Sequence, residues 1–98
     1  EPDPDTVFLI LLSRSRTRKA APFDIEAARY LIDRQWSSST DEMAELVLHP
    51  EPLARALAYS KLDPKKVDDL KVLKSQLDKE ASARLKKQLE EKLTGFLK

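Results

Sequence analysis

His49 is the only histidine in this 98-residue chain, and it stands in the run LHPEP with Pro50, Glu51 and Pro52 after it. An imidazole acting as a general base needs a nucleophile or an orienting carboxylate, and one acting as a metal ligand needs companions. Glu51 is close in sequence, but one His–Glu pair makes neither a triad nor a ligand set. A histidine beside two prolines reads instead as a turn residue at a helix cap. The carboxylates elsewhere stand among lysines, the pattern of solvated ion pairs rather than of a paired acid and base. Cysteine is absent, which removes disulfides, thiolate catalysis and sulfur-liganded zinc. The single glycine, Gly95, leaves no glycine-rich loop to cradle a phosphate. These residue types predict no catalytic residue, no metal set, no cofactor and no small-molecule substrate, hence a protein that is not an enzyme.

The densest charge feature is RSRTRK at 14–19. On a strand, Arg14, Arg16 and Arg18 would line one face; on a helix they spread over about 200°. Such a cluster can contact phosphates, or it can complement the dipole at a helix C-terminus. The formal net charge is +1 and the pI about 8.2, so no global field draws the chain to nucleic acid or to a membrane. The apolar run VFLILL at 7–12 is too short to span a bilayer and follows the acidic EPDPD, unlike a signal peptide. A soluble, intracellular chain without membrane contact is expected.

An apolar fraction of 41% with 36% charged residues fits a folded helical domain, and the lack of glycine disfavours hairpin-rich sheet. Residues 5–21 predict a helix capped by Asp5 and ended by basic residues, with a buried strand as the alternative reading of 5–13. After Pro22, Asp24 should cap a helix over 25–36 with Ile25, Ala28, Ile32 and Trp36 on one stripe and Ala27 and Leu31 beside it. SSST ends it, and Ser39 followed by Glu42 has capping-box spacing. A third helix over about 40–48 should turn Met43, Leu46 and Val47 inward. Pro50 and Pro52 announce a fourth, from near 50 to about 62, with Leu53, Ala56 and Leu57 as its stripe and Ala54, Ala58 and Leu62 flanking it. Tyr30 and Trp36 read as core and rim aromatics rather than as a base-stacking platform.

Asp63 as cap and Pro64 as first helical residue make the clearest helix start in the sequence. From there to Leu93 apolar residues recur at threes and fours, and a continuous helix would be roughly 45 Å long. Either it breaks near EASA at 80–83, or its stripe winds from the core to a partner. Glu80 and Arg84 have the spacing of an i,i+4 ion pair. From Lys65 to Lys98 basic residues outnumber acids ten to six, spread around the helix. Leu85, Leu89, Leu93 and Phe96 would lie beyond a core built from four short helices, and a row of exposed apolar residues marks a partner.

The resulting expectation is all-α: about four short helices in a small bundle over 1–62, plus one long C-terminal helix over 63–98, within a single domain. Function would be a non-catalytic interaction or assembly module, dimerising or docking onto a protein through Leu85, Leu89, Leu93 and Phe96. A second reading comes from SSSTDEMAELVLHPEPLARAL at 37–57, which resembles the helix-turn-helix of DNA-binding domains. Met43, Ala44, Leu46 and Val47 match the apolar and small positions of the first helix, and HPEPLARAL resembles the opening of a recognition helix. The resemblance implies Glu51, Ala54, Arg55 and Ala58 near base edges, and Lys61 with Arg14, Arg16, Arg18 and Lys19 near phosphates. It covers about a fifth of the chain. The turn lacks the usual glycine, one residue must be deleted to align both helices, and Arg55 is the single long base-reading side chain.

Overall fold

A computed structural model describes residues 3–36 and 39–96. They form six helices: α1 (Pro4–Thr17), α2 (Pro22–Asp33), α3 (Thr40–Leu46), α4 (Pro52–Lys61), α5 (Val67–Leu77) and α6 (Ala83–Lys92). The all-helical expectation holds, but in place of four short helices and one long one there are six of mixed length. Ser37 and Ser38, part of the predicted break after the second helix, lie outside the described residues.

Local chemistry explains most boundaries, sometimes by residues other than those expected. α1 is a helix, not a strand, and its cap is Asp3, whose carboxylate accepts the Thr6 amide at 3.3 Å. Asp5 sits in the first turn and accepts the Trp36 indole N–H at 3.0 Å. Asp24 is inside α2, where its carboxylate reaches back to the Ala21 amide at 2.9 Å. Ser39 caps α3 as its spacing predicts, accepting the Glu42 amide. Asp63 organises a turn through the Lys65 amide at 2.9 Å, and α5 starts three residues after Pro64.

The long C-terminal helix is broken between Leu77 and Ala83. Glu80 holds the break: its carboxylate accepts the Ser82 amide at 2.8 Å, and Ser82 then caps α6 by accepting the Leu85 amide. Folding back at this corner returns Leu85, Leu89 and Leu93 to the core, where they are 6%, 1% and 0% exposed, with Phe96 half-buried. The premise that these residues lie beyond the core is thus overturned.

α1 and α2 run antiparallel, with Arg14 against Asp24 at one end and Phe8 stacked on Trp36 at the other, ring centroids 4.2 Å apart. α3 packs on α1, α4 and α5; α4 packs on α2 and α6. Thr40 meets Asp69 while Val47 meets Gln76, so α3 and α5 point the same way. The core joins Val7, Phe8, Leu11 and Leu12 to Leu31, Leu46, Leu57, Leu73 and Leu89. Two predicted stripes hold in part. On α2 Ala28 is buried with the flanking Ala27 and Leu31 while Ile25 and Ile32 stay over a third exposed, and on α4 Leu57 is buried with the flanking Ala54 and Ala58 while Leu53 and Ala56 are half-buried.

Candidate functional site

The sequence singled out His49 for chemistry, and the fold buries it at 1% exposure in the turn between α3 and α4. Its Nδ1 accepts the Glu51 amide at 2.9 Å, which places the proton on Nε2. Nε2 faces Asp24 Oδ2 at 3.4 Å, a contact too poorly aligned to count as a hydrogen bond. Burial lowers the His49 pKa; Asp24 and Glu51 oppose this without reversing it, so the ring is neutral at pH 7. Asp24, itself fully buried, also forms an ion pair with Arg14, Oδ1 to Nε 2.7 Å, which likewise lacks hydrogen-bond alignment. One carboxylate therefore joins α1, the start of α2 and the α3–α4 turn. Neither ring nitrogen opens to solvent, and the role of His49 in this geometry is that of a turn anchor, as its neighbours in sequence suggest.

A second polar cluster ties the C-terminal corner to the same turn. Arg55 donates to both Glu80 oxygens at 2.9 and 2.8 Å, and through Nη1 to the His49 and Pro50 carbonyls. Tyr59 donates to Glu80 Oε1 at 2.6 Å, and Gln76 donates to the Val47 carbonyl. Burial opposes ionisation of Glu80, but hydrogen bonds from Arg55, Tyr59 and the Ser82 amide outweigh it and lower its pKa. Burial, then the bond to Glu80, raises the Tyr59 pKa to about 12. The i,i+4 pair expected between Glu80 and Arg84 is replaced by this buried one, which no sequence spacing signals.

The residues nominated for DNA divide between the core, ion pairs and the surface. Ala54 and Ala58, placed near base edges by the helix-turn-helix resemblance, are 0% exposed, and Arg55 is committed to Glu80. Among the phosphate candidates, Arg14 is held by Asp24, and Arg16 pairs with Glu45 at 2.6 Å. That hydrogen-bonded pairing raises the Arg16 pKa and lowers that of Glu45. Arg18 and Lys19 are exposed past the end of α1, while Lys61 is half-buried at the far end of α4. The α3–α4 corner has the expected helices and turn, but its would-be reading face is core. Among the described residues, no group of three histidines or carboxylates is arranged to hold a metal ion, and no helix is long and apolar enough to cross a membrane.

No family model matches the chain, and no curated protein or solved structure matches it at a significant level.

Among the apolar surfaces the fold leaves uncovered, the outer side of α1 has two adjacent residues, Leu9 and Ile10. Val7, Phe8, Leu11 and Leu12 are buried, whereas Leu9 is 58% and Ile10 36% exposed. With Thr6, Ser13 and Thr17 they form a stripe within an arc of about 100°. That stripe carries no charged side chain, in a chain where 36% of residues are charged. The threonine hydroxyls are satisfied locally, Thr6 by Asp3 and Thr17 by the Arg14 carbonyl, so the stripe presents mainly methyl groups. Beside it a groove of about 250 Å³ runs between α1 and α2, lined by Thr6, Ile10, Phe23, Glu26 and Tyr30. Sequence reasoning missed this surface, although the signal was present. Six consecutive apolar residues on a helix wrap around it, and one core can cover only part of such a helix.

Proposed function

We propose that this protein is a non-catalytic helical interaction module that engages a protein partner through the uncharged outer face of α1. The supporting observation is that α1 is apolar on two sides, with Leu9 and Ile10 exposed opposite a fully used core face. Contiguous apolar surface on a folded domain marks an interaction site, and the groove beside α1 extends this one toward Phe23 and Tyr30. The module reading keeps the interaction role expected from the sequence but moves it from α6, whose leucines are spent internally, to α1. The capture of His49, Asp24, Arg55 and Glu80 in structural contacts favours a binding role over a catalytic one.

The test is site-specific photo-crosslinking in cells producing the chain, with the photoreactive residue at Leu9 or Ile10 and a control at Lys86 on α6. The reading expects adducts of discrete mass from the α1 positions and none from the control. Equal labelling at all three, or none at Leu9 and Ile10, removes it.

A further inference from the structure

We infer that the partner of α1 is a second copy of this chain, bound with the two α1 helices antiparallel about a two-fold axis between Leu9 and Ile10. This rests on the interaction-face reading and adds the identity of the occupant. In that register Leu9 of each copy meets Leu9 of the other along one side of the seam, Ile10 meets Ile10 along the other, and Thr6 faces Ser13 between them, so the stripe is complementary to itself, as an isologous interface requires. The flanking charges point the same way. Asp3 and Arg14 lie along one edge of the stripe and Asp5 and Arg16 along the other, acids toward the helix start and bases toward its end. Antiparallel pairing sets Asp3 against Arg14 and Asp5 against Arg16 on both edges; parallel pairing sets like against like. Intrachain contacts hold all four in place: Asp3 to Thr6, Asp5 to Trp36, Arg14 to Asp24 and Arg16 to Glu45. Each guanidinium retains further donors for a second carboxylate. The opposed helix dipoles also favour this arrangement.

One helix face and its rims bury less than the roughly 800 Å² per partner of standard interfaces, so association is weak and concentration-dependent. Sedimentation from about 10 µM to about 1 mM covers that range. A monomer–dimer equilibrium is expected, together with at least a tenfold weakening in Leu9→Asp/Ile10→Asp at unchanged far-UV dichroism. Because the chain has no cysteine, orientation can be read with Thr6→Cys and Ser13→Cys chains and a short bis-maleimide. An equimolar mixture should give the mixed dimer, with little product from either variant alone. Dominant like-with-like products overturn the antiparallel register. A monomer at every concentration with no crosslink overturns the second copy as occupant. In that case a Leu9 photo-adduct of a mass other than twice the chain leaves the interaction face standing, and no adduct removes both.

Discussion

At the scale of single residues, the ionisable side chains are mostly spent on holding corners. Glu80 is buried with Arg55, Tyr59 and the Ser82 amide as its partners. Glu80→Ala strands the Arg55 guanidinium and frees the start of α6. Urea denaturation should show a loss of about 3 kcal/mol, the cost of leaving a buried charge without its partner. His49 gives a pH signature. Burial depresses its folded pKa below the usual 6.5, so as pH falls the unfolded chain takes up the proton first. Its contribution to stability is therefore complete above pH 6.5 and is lost as pH drops through that value. The slope approaches at most about 1.4 kcal/mol per pH unit for one proton. His49→Gln should flatten the stability profile between pH 7 and 5.5. An identical slope in both proteins would show that His49 does not carry it. Glu80 and Asp69, with folded pKa values lowered, add a further loss at lower pH, below their usual carboxylate range.

At the scale of elements, the presence of most helices was legible and their caps and inward faces less so. Ser39 caps α3 and Pro52 opens α4 as expected, whereas Asp3 rather than Asp5 caps α1, α2 opens at Pro22 with Asp24 inside it, and α5 opens at Val67 rather than Pro64. The C-terminal leucines show why. Their threes-and-fours pattern is the same whether the helix projects or folds back, because period reports a stripe and not what covers it. Leu89→Ala should cost about 2–5 kcal/mol in a denaturant titration, as a core truncation does, without weakening self-association in sedimentation. The end of α1 also lacks a sequence signal. Arg18 adopts a left-handed conformation (φ 59°) where helices commonly place glycine. Arg18→Gly should raise stability by about 1 kcal/mol in the same titration, since an L side chain pays for that conformation and glycine does not.

At the scale of the whole molecule, two polar clusters meet at the α3–α4 turn and join the N-terminal hairpin to the C-terminal corner. That junction commits Arg14, Asp24, Arg55 and Glu80 to structural contacts, while the outer face of α1 keeps Leu9 and Ile10 exposed. If a second copy binds the native state there, thermal stability depends on concentration by mass action. The melting temperature should rise with protein concentration in the native sequence and stay constant in Leu9→Asp/Ile10→Asp. Raising the salt should reduce that dependence, because the rim charges are exposed and screened.

Composition, the scarcity of glycine and the placement of prolines and serines were enough to make this chain all-helical and to place the starts of α3 and α4, because those preferences act within a few residues. The apolar wrap of α1 was also written in VFLILL. Contacts between distant residues decided the rest. Arg55 reaches Glu80 across 25 positions, Asp24 gathers Arg14 and His49, and the corner at Glu80 turns the C-terminal leucines inward. A hydrophobic period says that a face will be buried; only the meeting of remote side chains in three dimensions selects the surface that buries it and the one left for a partner.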